Sequence, residues 1–465
     1  MNKYKINSHY VLIILIMVSM SILSCDKQNE WLDVKSNKGS VVPETLSDYQ
    51  AILDNSAVMN DAYSNAGLIG SDNLLLNQTA FNAAGQDTRN LYNWDKDLWV
   101  TGVSYHWNNY YKIIGQANIV LDGIQKIAST ENDYSNVKGQ ALFHRAMIYY
   151  ELAQLFCSAY HTTMGSDLGL PLRNHADVNL VVQRSSLLAT YQQIINDALE
   201  ASNLLSDHQP YLQRPVKAAA YALLAKAYLN MGDYQNASTF ADKCLSTRPQ
   251  LLDYNSSLVV PSSTYRFPFF AKNNPEVLFY AQGSMFAELM PFTSSRGQVS
   301  VELYQSYAEK DLRKTLLFVA TDASTVKFRG AYTGKEQNFC GLATNEIYLI
   351  RAECNARQEK TEAAMADLNK LLINRYVTGE FSELSASDSE QALALILQER
   401  RKELPFTGNI RWEDLKRLNK ETRFQTTLSR TINGVTYTLA PNDKRYVLSI
   451  PQNEIELTGI LQNER

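Results

Sequence analysis

The chain has 465 residues, of which 45% are hydrophobic and 20% are charged. This composition provides enough apolar side chains for a large core and excludes a disordered chain. Because 44 basic and 48 acidic residues give a formal net charge of −4, the chain has no basic excess with which to neutralise nucleic-acid phosphates. Tyrosine is abundant, with 27 copies against 16 phenylalanines and 5 tryptophans, which favours a surface suited to polar ligands and interfaces.

The N-terminus has the features of an export signal. Lys3 and Lys5 precede an apolar run over residues 11–23, which is too short for a comfortable transmembrane span. The sequence Ser-Ile-Leu-Ser-Cys that ends at Cys25 resembles a bacterial lipoprotein signal, in which the cysteine is lipidated and becomes the first residue of the mature chain. We therefore predict a signal peptide over 1–24 and lipidation of Cys25. An ordinary secretory signal with an incidental cysteine is the alternative.

The clearest structural pattern is a helical hairpin over residues 221–249. Small and apolar residues recur at helical spacing on both sides of a turn at Gly232, and Pro249 ends the second helix. These offsets fit the tetratricopeptide template. Weaker copies flank the hairpin at 142–205 and 345–375. Because such hairpins cannot bury their apolar faces alone, we predict that they stack into one curved superhelix.

The fold class predicted from these patterns is mainly α, with helical repeats over about 107–249 and 343–419. Between them, over about 251–342, the helical period is lost and prolines cluster with Ser, Asn and Gly. We predict an irregular, loop-rich ligand-binding region with short β-hairpins there. Residues 25–40 are polar and form a predicted lipid-anchored tether, whereas 41–465 form one composite domain because repeats lie on both sides of the irregular region.

Several C-terminal segments carry a family resemblance. They are ERRKELPF at 399–406, RWEDL at 411–415, EIYLIRAE at 346–353, IPQNEI at 450–455 and QN at 462–463. Together with the lipoprotein signal, they resemble the SusD/RagB family of outer-membrane nutrient-binding lipoproteins over the whole chain.

The resemblance implies a tetratricopeptide-like superhelix without catalytic activity or cofactor. It implies a protein at the outer membrane, facing the cell exterior, that captures an oligosaccharide, glycopeptide or peptide. The ligand would be delivered to a SusC-like TonB-dependent transporter as partner. A transporter scaffold without a small ligand and a surface glycoside hydrolase are the alternatives.

Ligand capture is expected to use aromatic rings, because sugars present apolar C–H faces and peptides present apolar side chains. One group of rings precedes the first regular helix, and another lies in the irregular region. The predicted ligand-binding residues are Tyr92, Trp94, Trp99, Tyr265 and Phe292. For each ring, packing in the core is the alternative.

No catalytic residue is predicted. The cluster of Arg400, Arg401, Glu403, Arg411 and Asp414 is interpreted as a structural ion network, in which Arg400 and Glu403, three positions apart on one helix, can pair. An acid/base centre is the alternative, but no motif sets two carboxylates at the separation that glycoside hydrolysis requires.

No metal site is predicted either. Four cysteines lack zinc-ligand spacing and are expected as buried free thiols, with one disulfide as the alternative: Cys157, Cys244, Cys340 and Cys354. His161, Asp167 and His175 share one segment and could hold a metal, but we interpret them as solvated loop residues.

Overall fold

Long antiparallel helices form the main layer of the protein. The computed structural model describes residues 42–161, 167–284, 297–322 and 325–465. Residues 45–465 form one compact unit. The helices are α1 (Leu46–Leu53), α2 (Ser56–Met59), α3 (Ala66–Gly70), α4 (Gln78–Ala83), α5 (Gln86–Tyr92), α6 (Tyr105–Gly123), α7 (Tyr134–Phe156), α8 (Leu187–Leu204), α9 (Lys217–Met231), α10 (Tyr234–Thr247), α11 (Val301–Gln305), α12 (Leu312–Leu316), α13 (Thr344–Arg357), α14 (Thr361–Leu372), α15 (Ser389–Glu403), α16 (Ile410–Leu418) and α17 (Gln452–Thr458).

Short antiparallel strand pairs complete the fold, and they are β1 with β5, β2 with β3, β4 with β8, β6 with β7 and β9 with β10. The strands are β1 (Leu74–Leu75), β2 (Leu168–Pro171), β3 (Arg184–Ser186), β4 (Val277–Phe279), β5 (Gln298–Val299), β6 (Phe318–Ala320), β7 (Val326–Phe328), β8 (Leu342–Ala343), β9 (Leu428–Ile432) and β10 (Val435–Leu439). The strands within the described part of the predicted irregular region are all short, and the short helices α11 and α12 also lie there. The β9–β10 hairpin turns at Asn433 and Gly434, both at positive φ, as a type I′ turn requires.

The hairpin predicted over 221–249 is confirmed as α9 and α10. Gly232 ends α9 in the left-handed region, with φ +76°, which a residue without a Cβ adopts at no steric cost. Asp233 then caps α10, because its side chain accepts a hydrogen bond from the Asn236 amide at 3.0 Å. The rings of Tyr228 and Phe240 stack across the pair, with centroids 5.6 Å apart.

The flanking helical pairs also form as predicted. Helix α7 packs against both α6 and α8, and α13 packs against α14 and α10. Most of α7 is buried, which places it at the centre of the layer. The α7–α8 contact includes a buried bidentate pair, in which Arg145 binds both carboxylate oxygens of Asp197 at 2.7 and 2.8 Å.

The C-terminal charged cluster is a structural ion network, but one predicted pair within it is wrong. Arg400 binds Asp414 and Glu346, each at 2.9 Å, whereas Glu403 binds Arg375 at 2.8 Å. Arg400 and Glu403 therefore do not pair. Arg400 and Glu403 each bind buried partners elsewhere in the fold. These buried tertiary ion pairs replace the predicted contact between the two residues, which on a helix surface would be weak.

The same network extends to the N-terminal part of the domain. Arg411 binds both carboxylate oxygens of Asp72, at 2.7 and 2.8 Å, and Arg401 also contacts Asp72 at 3.1 Å. Burial raises the pKa of Asp72, but the two guanidinium groups outweigh it and hold that pKa well below its usual range. The charges thus join segments from opposite ends of the chain.

The predicted state of the cysteines is confirmed. All four described cysteines are buried free thiols. Within the described ranges, no helix is both long and apolar enough to cross a membrane.

Candidate functional site

Two of the predicted ligand-binding rings lie inside the core. Tyr92 and Trp94 are each 2% exposed. The Trp94 indole donates a hydrogen bond to the Gly70 carbonyl at 2.9 Å. The Arg430 guanidinium lies 3.7 Å from the Tyr92 ring centroid and 4.4 Å from that of Trp94. Since this cation covers both rings, they serve packing in this structure and present no face to a ligand.

Trp99 and Tyr265 are half-buried and keep part of their rings accessible. The Trp99 indole donates to the Ser449 carbonyl at 2.7 Å, and its ring lines a cavity of about 270 Å³. The Tyr265 hydroxyl donates to Glu336 at 2.7 Å. Partial burial and the neighbouring Glu336 carboxylate raise the pKa of Tyr265 to about 12. Phe292 and the lipidation candidate Cys25 lie outside the described residues.

A more exposed ring lies close in sequence to Tyr265. Phe269 is 60% exposed, whereas Phe267, two positions earlier, is 4% exposed. The rings of Phe269 and Phe270 meet edge to face with centroids 4.3 Å apart. We call Tyr265, Phe269 and Phe270 the aromatic platform. Phe269 and Phe270 are not among the predicted ligand-binding rings, because the run Phe-Pro-Phe-Phe at 267–270 does not indicate which ring faces solvent.

The platform rests on an unusual backbone. Phe270 and Ala271 have φ values of 50° and 52°, and Asn273 has φ 60°. Non-glycine residues in this region cost about 1–3 kcal/mol each, and such strain concentrates at functional sites. Phe270 is fixed by its amide, which donates to the Thr333 carbonyl at 2.9 Å. A Cβ on the facing Gly334, at φ +63°, would lie 2.6 Å from the Phe269 nitrogen, so glycine is required there.

Charged groups surround the platform. The Lys335 ammonium lies 3.9 Å from the Phe270 ring centroid and 5.7 Å from that of Phe269, within cation–π range. Partial burial lowers the pKa of Lys335, and the Asp61 and Glu336 carboxylates oppose that shift. Partial burial likewise raises the pKa of Asp61, which Lys335 opposes. The site thus combines exposed ring surface with a cationic donor and two carboxylate acceptors.

Of the three residues considered as a metal site, only His161 and Asp167 are in contact. His161 Nε2 lies 2.8 Å from the Asp167 carboxylate, but His175 lies beside Asp122, at 3.7 Å. Over the described ranges, no group of three or more His, Cys, Asp or Glu side chains is placed to hold a metal ion. Asp167 also accepts a hydrogen bond from Ser158 at 2.7 Å, so its carboxylate is bound by the side chains of Ser158 and His161.

Two protein-family models match this chain. One, a SusD-like family described as "Starch-binding associating with outer membrane", matches residues 30–229, and the other, the SusD family, matches residues 303–464. The chain belongs to the SusD/RagB family. The two matches confirm the predicted family. The mainly α fold class is confirmed by the helices of the structure and by the matching SusD superfamily fold. The predicted non-catalytic character is confirmed because the family consists of binding proteins and not of enzymes. The first description also points to association with the outer membrane.

Individual relatives agree with this assignment. "SusD-like protein P2" of Formosa agariphila is 25% identical over 90% of this SusD/RagB chain and 91% of its own length. A SusD superfamily protein from Bacteroides thetaiotaomicron has a TM-score of 0.72 at 24% identity, covering 90% of this chain and all of its own. A putative sugar binding protein from Bacteroides vulgatus also has a TM-score of 0.72, at 21% identity, with 91% and 99% covered. These structures share the fold.

Proposed function

We propose that the protein binds an oligosaccharide at the aromatic platform without transforming it. The observation that carries this proposal is the 60% exposed Phe269 ring, which a strained backbone holds beside Phe270 and Lys335. Maintaining an exposed apolar ring on a costly backbone is explained if the ring contacts a ligand. The starch-binding description of the matched family supports a carbohydrate as that ligand.

The groups around the platform suit a sugar. A pyranose ring has an apolar C–H face, which stacks on an aromatic ring, and an edge of hydroxyl groups. Lys335 can donate hydrogen bonds to those hydroxyls, and Asp61 and Glu336 can accept from them. A glycopeptide or peptide would use the same apolar ring but would need backbone hydrogen-bonding partners at regular spacing.

Calorimetric titration with a panel of neutral plant, host and microbial oligosaccharides tests the proposal. We expect one saturable ligand whose affinity falls about fivefold or more in Phe269→Ala, because an aromatic stacking contact contributes about 1–3 kcal/mol. Ile373→Ala is the matched control, since this side chain is 59% exposed at the end of α14. Binding that Phe269→Ala leaves unchanged would refute the platform, and a peptide as the sole ligand would refute the carbohydrate.

We further propose that the ligand passes to a partner TonB-dependent outer-membrane transporter. Exposed large apolar side chains concentrate where three chain segments meet, and they include Val100, Val103, Tyr105, Val178, Leu180, Val181, Leu188, Leu457 and Leu461. Hydrogen bonds join these segments: Gln183 donates to the Thr458 carbonyl, Arg184 to that of Leu461, and the Asn453 amide to that of Gly102. A concentration of exposed apolar side chains is typical of protein interfaces.

The transporter proposal is tested by affinity purification from outer membranes of the native host. We expect a TonB-dependent transporter to be enriched with the protein, and Leu457→Glu to abolish this enrichment. Ile373→Glu adds the same charge at another exposed apolar position and should leave the enrichment intact. Equal recovery of the transporter by both variants would exclude this surface as its docking site.

The predicted lipid anchor at Cys25 is proposed on the sequence alone. Mass spectrometry of the native protein should find an acylated N-terminal cysteine, and Cys25→Ala should release the protein from the membrane fraction. An uncleaved N-terminus or unmodified Cys25 would contradict the anchor.

A further inference from the structure

A second cavity, of about 820 Å³, lies at the C-terminal end of α16, and no residue of the platform lines it. Its walls come from the segments that follow α7 and α16 and from the C-terminal segment. The lining includes Ser158, Ala159, His161, Asp167, Leu168, Lys416, Asn419, Lys420, Asn442, Asp443, Lys444, Tyr446, Val447, Leu461, Gln462, Asn463 and Glu464. A cavity of this size accommodates a small-molecule ligand.

The carboxylates of this cavity are already in contact with basic side chains. Asp167 has His161 at 2.8 Å, Asp443 has Arg445 at 2.7 Å, and Glu464 pairs with Lys444. Each acidic side chain therefore has its own basic partner. Two further cations on the wall, Lys416 and Lys420, have no carboxylate among these partners.

Lys416 and Lys420 lie four positions apart at the end of α16. The Lys416 ammonium donates to the carbonyls of Gln154 and Cys157, at 2.5 and 2.7 Å, which are neutral acceptors at the end of α7. Lys420 has no hydrogen bond or ion pair with any residue in the described ranges. Burial lowers the pKa of Lys416 to about 8, the nearby Lys420 adds to this shift, and Glu413 opposes it. The two like charges repel, and an anion bound between them would relieve that repulsion.

The remaining lining suits a hydroxylated ring. Asn419 donates its side-chain amide to the Tyr446 hydroxyl at 3.1 Å, which leaves the phenol proton of Tyr446 available as a donor. Leu168 and Leu461 expose 36% and 66% of their surface and provide apolar contact. The side-chain amide of Asn463 is fixed by bonds to the carbonyls of Phe156 and Leu448, so the wall it forms is rigid.

We propose that this cavity, which we call the lysine cavity, is a second ligand site that binds a sugar bearing a carboxylate or sulfate group, with Lys420 contacting the anion. It uses none of the residues of the aromatic platform, so it does not depend on the oligosaccharide site proposed there.

Calorimetry on the purified protein tests the lysine cavity with three probes: digalacturonate, galactose 6-sulfate and neutral galactobiose. We expect saturable binding of at least one anionic probe, and the probe that binds separates carboxylate from sulfate recognition. Lys420→Gln should weaken that binding about tenfold, as expected for the loss of a hydrogen bond to a charged group. Lys420→Arg should retain it, and Lys126→Gln, which removes an equal charge at an exposed position outside the cavity, should have no effect.

Two results would overturn the inference. The first is the absence of binding by both anionic probes. The second is anionic binding that Lys420→Gln leaves unchanged; if Phe269→Ala removes that binding, the acidic sugar occupies the platform instead. In contrast, anionic binding that is sensitive to Lys420→Gln, together with no platform ligand, would support the lysine cavity and reject the platform. Melting temperatures of the variants separate loss of binding from loss of folding.

Discussion

Glu403 is the position where the ion network predicts a large change in stability. Its fully buried carboxylate contacts Arg375 at 2.8 Å and Arg313 at 3.2 Å, and it accepts a hydrogen bond from Asn345 at 2.9 Å. Glu403→Gln keeps the shape of the side chain but removes its charge. Two buried guanidinium groups then lose one anionic partner each.

The expected cost follows from what those arginines retain. Arg313 keeps Asp311 and Glu399 at 2.7 and 2.6 Å, and Arg375 keeps Glu276 at 2.7 Å. Removing one partner of a buried pair costs about 3–5 kcal/mol, so with these remaining carboxylates we expect the low end, about 3 kcal/mol. For about 420 residues, an unfolding entropy near 0.9 kcal/mol/K converts this to a melting temperature lowered by about 3–4 °C.

The stability difference between wild type and Glu403→Gln should also depend on pH, in a direction set by the pKa of Glu403. Burial raises the pKa of Glu403, but Arg375 and Arg313 outweigh burial, so its pKa in the folded protein is below its usual value of 4.5. A lowered pKa provides stability at neutral pH that is lost as the pH falls below about 4.5. The difference in melting temperature between wild type and Glu403→Gln should therefore be largest at pH 7 and smaller in more acidic buffer.

Differential scanning calorimetry at pH 7 and pH 4 measures both effects. Glu464→Gln is the control, because its exposed pair with Lys444 should leave the melting temperature unchanged. If Glu403→Gln melts at the same temperature as this control at pH 7, the buried charges do not stabilise the domain as argued. A melting-temperature difference that is larger at pH 4 than at pH 7 would contradict the predicted pH dependence.

Three further predictions concern other buried positions. Burial and the Glu413 carboxylate raise the pKa of Glu151 from 4.5 to about 7. The free energy of unfolding should therefore fall between about pH 4.5 and 7, by about 3 kcal/mol at most. Urea denaturation should show a smaller change of this free energy with pH in Glu151→Gln than in wild type. Gly334→Ala should disturb the Phe269 backbone and weaken glycan binding, whereas Gly379→Ala, also at positive φ but in open space, should preserve it. Trp94→Ala should destabilise the fold by about 3–5 kcal/mol, measured by denaturation, because its buried ring leaves a cavity.

Each of these three predictions has a contradicting result. Equal pH slopes in wild type and Glu151→Gln would show that Glu151 does not titrate as inferred. Equal binding by the two glycine variants would show that the contact between Gly334 and Phe269 does not position the platform. A Trp94→Ala protein of wild-type stability that loses its ligand would restore Trp94 as a ligand contact.

The helical part of the fold was predictable because its signals are local. The turn at Gly232 and the small residues around it identify a hairpin within about thirty residues of chain, and stacking follows from their apolar faces. The pairing of Arg400 with Asp414 and Glu346 was not predictable. Residues 399–414 contain four acidic side chains, Glu346 lies 54 positions before Arg400, and tertiary packing chooses among these candidates.

The candidate site was predictable only as a region. Aromatic residues in irregular chain indicated a binding surface, but whether each ring is exposed depends on distant residues. Tyr92 and Trp94 are covered by Arg430, which lies more than 330 positions later. Phe269 lies against Gly334 and is followed by Phe270 and Ala271 at positive φ, a conformation that local propensity does not predict.

The contacts between the two ends of the chain have a consequence for folding during synthesis. Asp72 binds Arg411, 339 positions later, and the amide of Gly67 donates to Asn409, 342 positions later. The first helices therefore leave the ribosome long before their partners exist, and they cannot complete their packing until the C-terminal segments follow. Such a topology folds slowly and leaves apolar surface exposed in the meantime, so the N-terminal part depends on protection from aggregation until the last segment arrives.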